Sequence, residues 1–404
     1  MSKLSKELSF IDIYLFSIGY IIGAGIFVLI GKVSKYSKSL SWLSFIIAGI
    51  FALIVATTYV DINTLYNTNH SDYSFVKKTM GEIPAIFTVI VLIGIGICTN
   101  TTVSLSIGEF LSPLLSCSPI WISIGLILLF TFINCIGIKQ TTTFNHVCTF
   151  SEIIALIIIC ISGLFYHKTI KTTKQQIKIP DIMYSTILAM FVYSGFESTA
   201  KLTEEATNPH DIPKAIIASV ISASILYVFV SYAVVKCCSI NDIQNSPIPI
   251  VTMAKKLFGS NISNIFYIIA ILSISNTLLI SILGTSRMLH AIAREYPILN
   301  LFTEVNSTYK TPIYATIVIA LLSILMLVFK NVEVLASITS YLMFIIFAIL
   351  NIGLIMVYYN EEVKSKLKNS WTYYINQGNP ILPSAGLLIS LGMLLFGLHQ
   401  LHLK

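Results

Sequence analysis

Uncharged apolar runs about as long as a bilayer is thick follow one another along almost the whole chain, and no other feature constrains its fold as strongly. They cover residues 13–31, 39–60, 83–108, 119–138, 215–235, 257–286, 312–329, 334–360 and 379–400. Two more, 140–166 and 182–200, hold one acid each, Glu152 and Glu197. Each run reaches the roughly 18 residues that a spanning helix needs. Charged residues make up 11% of the chain, against roughly 25% in a soluble domain. In hydrocarbon the backbone must bond to itself, so such runs read as helices. The reading is an all-α integral membrane protein with eleven spans. It forms one membrane domain over 1–404, and no linker is long enough to hide a second. The first run is too long for a cleaved signal core, and Gly23-Ala24-Gly25 stands in place of a cleavage pattern.

Two of these runs are interrupted. The first carries Gly23-Ala24-Gly25, and the sixth carries Tyr193-Ser194-Gly195-Phe196-Glu197. Serine and glycine are weak helix formers, and a carboxylate at membrane depth costs several kcal/mol. Paired broken helices are a mark of transporters built from two repeats. Spans 3 and 8 are both unusually long, 83–108 and 257–286, so the pattern repeats after five spans. An odd number of spans inverts the second copy, which predicts a 5+5 inverted-repeat fold. Repeat one covers about 10–166 and repeat two about 182–360. The span at about 380–400 lies outside the repeat. The polar stretch 71–79 reads as an interfacial helix.

Several classes drop out. The net charge is +7, but the lysines are scattered, which does not suit nucleic acid. They divide almost evenly between the two sides, so charge bias does not orient the chain; that both arginines, Arg287 and Arg294, fall inside when the N-terminus is cytoplasmic is a slight pointer. The seven cysteines give neither a disulfide framework nor metal spacing. No nucleophile–base pair, H-E-x-x-H or Walker A sequence stands out. No enzyme activity, cofactor or metal site is expected.

The residues Gly19-Tyr20-Ile21-Ile22-Gly23-Ala24-Gly25-Ile26-Phe27 resemble the first-span motif of amino-acid permeases, within the amino acid–polyamine–organocation superfamily. Residues 193–197, then Glu204-Glu205-Ala206-Thr207-Asn208-Pro209 and Ile212-Pro213-Lys214-Ala215-Ile216, resemble its sixth span and the loop after it. Ser286-Arg287-Met288-Leu289 and Thr311-Pro312-Ile313 resemble its eighth-span exit and ninth-span start. The resemblance covers about residues 8–360. It implies a secondary transporter of amino acids or related small organic amines, working by alternating access in a cell membrane with a cytoplasmic N-terminus. Three departures stand out. The loop 208–213 is one residue short, the chain has eleven spans where many members have twelve, and Glu152 stands where many carry a span-5 lysine.

The interruptions suggest a binding site for a small zwitterion. A half-helix start offers free N–H groups and a positive dipole end to a carboxylate, and Gly23, Ala24 and Gly25 let it come close. An unwound 191–195 offers carbonyls to an ammonium, which brings in Phe191, Val192, Ser194 and Gly195. The same glycines also suit close helix packing. By resemblance, Phe191 is a gate over the site. Glu197 either holds the broken helix or carries a proton. Glu152 either couples transport to a proton or to a sodium-like cation, with Ser275 or Thr277 as further ligands, or serves as a fixed hydrogen-bonding partner. Asn100, Ser275 and Asn276 lie mid-span and either line a path or join helices. Cys117, in a short loop before span 4, is compared with the cysteine by which light subunits of heteromeric transporters bond a single-span partner; a free thiol is the plainer reading. The rival function is a regulatory membrane protein that keeps the permease fold without transporting.

Overall fold

Apolar runs close their backbone bonds as helices, and at Gly81, Gly195 and Gly259 a glycine stands at the start of the next helix. The structure is a computed structural model that describes residues 8–66, 71–136, 139–166, 176–203, 206–306, 308–309, 311–368 and 370–402. The first half contains α1 (Phe10–Ser37), α2 (Ser41–Leu65), α3 (Ser71–Met80), α4 (Glu82–Leu115), α5 (Pro119–Ile136) and α6 (Lys139–Leu164). The second contains α7 (Ile179–Val192), α8 (Phe196–Thr199), α9 (Asp211–Cys237), α10 (Ile240–Asn245), α11 (Pro249–Phe258), α12 (Ser260–Ala293), α13 (Ile313–Met326) and α14 (Val332–Tyr358). Then come α15 (Glu361–Leu367), α16 (Trp371–Ile375) and α17 (Ile381–His402). Among the described residues nine helical stretches are long and apolar enough to cross a membrane. One of them, Phe10–Leu65, is spans 1 and 2 joined, and the shorter Ile313–Phe329 is span 9, which gives eleven.

The repeat is visible in backbone geometry. In the first half a helix of 10 residues, α3, leads through Gly81 into α4, which has 34. In the second half α11, also 10 residues, leads through Gly259 into α12, also 34. Gly81 has φ +97° and Gly259 φ +84°, a region only glycine enters without strain. At 1.5 Å per residue the two long helices run about 51 Å, so they tilt or project beyond a core of roughly 30 Å. This corrects the sequence boundary at 257. Leu257 and Phe258 close α11, and span 8 starts at Ser260.

The short helices α10, α11, α15 and α16 have no sequence counterpart in the apolar-run reading. Local chemistry builds them. The Ser239 hydroxyl accepts from Asp242 N at 3.2 Å, and Asp242 Oδ2 accepts from Ser239 N at 3.2 Å, a reciprocal cap for α10. Lys256 of α11 reaches the same carboxylate at 2.6 Å. Together these partners, Lys256 first, hold the Asp242 carboxyl down at about 2.

Small residues let the central helices approach closely. A Cβ on Gly19 would lie 2.0 Å from Thr149 Oγ1, and one on Gly23 1.8 Å from Thr277 Oγ1. One on Gly96 would lie 2.0 Å from Thr285 Oγ1. Spans 1, 5 and 8 therefore meet along one seam, and spans 3 and 8 along another.

Candidate functional site

Two helix interruptions face each other at the centre. In α1 one residue, Gly23, leaves helical geometry, at φ −11° and ψ −106°. The break expected over 23–25 is thus a single-residue kink, and Gly25 is helical. Ala24 is described by its backbone alone. Span 6 breaks more fully: α7 ends at Val192, Tyr193-Ser194-Gly195 form a turn, and α8 restarts at Phe196. Gly195 has φ +123°, and a Cβ there would lie 2.9 Å from the Tyr20 ring.

The break closes on local hydrogen bonds. Ser194 donates to Phe191 O through N at 3.0 Å and Oγ at 2.7 Å. Glu197 Oε2 accepts from Gly195 N at 2.8 Å, so this carboxylate holds the start of the second half-helix. Tyr227 of α9 shares its hydroxyl between Ile21 O at 2.8 Å and Val192 O at 3.1 Å, and so ties the two interrupted spans together. Unwinding was expected from 191. Phe191 and Val192 remain helical, and their carbonyls already have donors. The turn residues Tyr193, Ser194 and Gly195 are the ones that leave the helix. Glu204 and Glu205 lie outside the described residues.

Between the interruptions is a small chamber. Span 1 lines it with Tyr20, Ile21 and Gly25, span 3 with Thr99 and Val103, span 6 with Phe191 and Ser194, and span 8 with Thr277. Among the described residues, no ionisable group other than the Tyr20 phenol lines it. A second cavity adjoins it and runs past Leu92 and Ile95 on α4 and past Thr285 and Met288 on α12. Glu197 and Ser198 line this vestibule, not the chamber. Two spans precede α4, so the starts of α1 and α4 and the end of α12 share one membrane face. The vestibule points toward that face.

The opposite face is fastened. Lys35 Nζ, near the end of α1, lies 3.1 Å from Glu333 Oε2, in the first turn of α14. The Tyr36 hydroxyl also donates to Glu333, and Tyr184 OH of α7 does so at 3.4 Å. The Tyr36 and Tyr184 rings meet edge to face at 4.7 Å. Spans 1, 6 and 10 are joined there through one largely buried carboxylate.

A polar seam runs behind the kink, between spans 1, 5 and 8. Glu152 is fully buried. Ser273 Oγ lies against Glu152 Oε2 and also within 3.1 Å of Gly23 O. Ser273 therefore meets Glu152, where Ser275 or Thr277 had been expected. Asn276 Nδ2 donates to Asn145 Oδ1 at 2.7 Å, so Asn276 joins spans 8 and 5. Glu152 Oε1 and Asn276 Oδ1 have no hydrogen-bond partner among the described residues. Asn100 faces span 9, its Nδ2 lying 3.3 Å from Ser323 Oγ. The chamber takes Thr99 and Val103 instead. Ser275 is buried on α12. Cys117 is an exposed free thiol. Sequence reasoning missed Tyr20 and Tyr227. Tyr20 stands inside the first-span motif, whereas nothing in the sequence distinguishes Tyr227 from other mid-span tyrosines.

A helical membrane bundle with paired interrupted spans around a central chamber defines a secondary-transporter architecture. The chain belongs to the amino acid permease family, which it matches over residues 8–398. It is similar to the methylthioribose transporter of Bacillus subtilis, at 25% identity over 99% of this chain and 89% of that protein. It is similar to a branched-chain amino acid permease of the same organism, at 23% identity over 97% of this chain and 88% of that one. A third relative is the mouse large neutral amino acids transporter small subunit 2, 26% identical over 88% of this chain and 70% of its own length.

Proposed function

We propose that this chain moves amino acids, or related small organic amines, across the bilayer by alternating access, with a proton as the coupling ion. The observation that carries this is the chamber between the kink at Gly23 and the break at 193–195. Backbone N–H groups near the kink suit the substrate carboxylate. The turn carbonyls of Tyr193 and Ser194 suit its ammonium. Glu197 acts as the cap of the second half-helix. The repeats at about 10–166 and 182–360 rock against each other, with α17 outside them. We place the N-terminus in the cytoplasm and the protein in the plasma membrane, so the vestibule faces inward. Purified protein in proteoliposomes is expected to take up labelled amino acids, and a bound substrate to raise its melting temperature by mass action. Failure of both with every amino acid and amine tested would return the chain to the regulatory reading.

Phe191 is buried against the chamber. Phe191→Ala is expected to weaken the substrate-induced thermal shift at least tenfold in apparent affinity, on the scale of about 1–3 kcal/mol for lost apolar contact. Phe191→Tyr should keep most of it. An unchanged titration in the alanine variant would make Phe191 a packing residue only.

Glu333 is the fastener of the outward face. Glu333→Gln keeps the shape and removes the charge. Lys35 is half exposed, so the pair contributes at most about 1 kcal/mol. That shifts the balance of conformers about fivefold. A membrane-impermeant thiol reagent added outside should then label a chamber cysteine (Val103→Cys) faster by that factor. Equal labelling would remove Glu333 from gating. For Cys117 we propose a free thiol, and the mobility of the native protein on non-reducing gels should not depend on reductant.

A further inference from the structure

The chamber and the vestibule share three lining residues, Tyr20, Thr99 and Ser194. The side chains of these three residues therefore border both spaces. Only one of the three is large. Tyr20 precedes the kink by about one turn, and its ring lies on the break in span 6. A Cβ on Gly195 would come within 2.9 Å of Tyr20 Cδ1 and 3.2 Å of its Cγ. The ring is thus backed by the one residue of span 6 that must be glycine. It cannot withdraw in that direction unless span 1 or span 6 moves.

We propose that Tyr20 is the neck between the substrate chamber and the vestibule, and that it limits the transported solutes to amino acids with short, uncharged side chains. The inference rests on the transport reading and adds its substrate class. The lining of the chamber supports it. Its walls are apolar at Ile21, Val103 and Phe191 and neutral at Thr99 and Thr277, so a buried charged side chain would find no counter-charge. The carboxylate of Glu197 lies in the vestibule, beyond the neck. Because the ring is seated against the break, opening the neck requires the same movement of spans 1 and 6 that exchanges the faces.

The test compares Tyr20→Ser and Tyr20→Phe with the parent in proteoliposome counterflow. The competitors run from glycine and alanine through valine and leucine to phenylalanine and lysine. The parent should favour the small members. Tyr20→Ser should improve competition by leucine and phenylalanine relative to alanine by about tenfold or more, the scale set by one or two methylenes in a size-limited pocket. Tyr20→Phe should keep the parental order, because the ring and not the hydroxyl fills the neck. The same ratio of large to small in Tyr20→Ser would overturn the proposal. A second readout needs no transport. Val103→Cys, in a background without the native cysteines, is labelled from the vestibule side with a small and a bulky thiol reagent. The bulky reagent should react about tenfold faster once Tyr20→Ser is added, and an unchanged ratio between reagents would overturn the neck. If the parent transports none of these solutes but the labelling ratio changes, the function fails and the neck stands.

Discussion

Gly25→Val is expected to lower the melting temperature and abolish transport together. A Cβ at this position would lie 2.8 Å from Val192 Cα and 2.9 Å from Val192 O. Both are backbone atoms and cannot rotate aside. Spans 1 and 6 would have to separate at the point where Tyr227 holds Ile21 O and Val192 O. Overpacking a core against movable side chains costs about 1–3 kcal/mol, and here the neighbour is main chain, so the loss should be at the top of that range or above. Gly25→Ala should already lower the midpoint clearly, with valine worse. Gly125→Ala is the control, because a Cβ there meets nothing within 4 Å. Thermal melting in detergent, read beside counterflow, checks this. A parental midpoint in Gly25→Ala would show that the backbones at 25 and 192 stand farther apart than the structure places them. The sequence offered packing and substrate binding as alternatives for Gly25. The structure gives the residue both surroundings, so transport loss alone cannot identify a carboxylate cradle.

The case of Gly25 shows where sequence reading stops. Apolar runs found all eleven spans, because the penalty for exposing backbone to lipid leaves no other fold for them. They missed the end of α11, since Leu257 and Phe258 are as apolar as the span that follows Gly259. The motifs found the interrupted spans but not their extent: one residue in α1, three between α7 and α8. They could not say which side of a helix faces which neighbour. Successive helical residues point about 100° apart. A slip of one residue therefore exchanges Thr99, in the chamber, for Asn100, on span 9. The same limit separated Ser273, against Glu152, from Ser275. The contact made by Glu197 was more legible, because a carboxylate two residues after a glycine break is placed to accept that glycine's N–H.

Glu152→Gln should separate exchange from driven uptake. Ser273 has one hydroxyl proton and two oxygen neighbours, Gly23 O and Glu152 Oε2. A carbonyl can only accept. If the hydroxyl serves Gly23 O, the proton between Ser273 and Glu152 must come from the carboxyl. A neutral Glu152 therefore completes a chain from span 5 through span 8 to the kink in span 1. An ionised one leaves two acceptors competing for one proton, in a site where an unpaired charge costs several kcal/mol. A hard cation is the rival occupant, but it needs several oxygens around one point, and Ser273 already covers Oε2. Glutamine can donate to Ser273 through its amide, so it holds the chain in the neutral arrangement. Glu152→Gln is then expected to exchange labelled for unlabelled substrate near the parental rate. Accumulation driven by an imposed pH gradient should fall at least tenfold, because the variant carries no proton to release. Sodium-dependent parental uptake that loses this dependence in the variant would assign the site to a cation. Driven uptake with an unchanged pH profile would leave Glu152 as a hydrogen-bonding post between three helices.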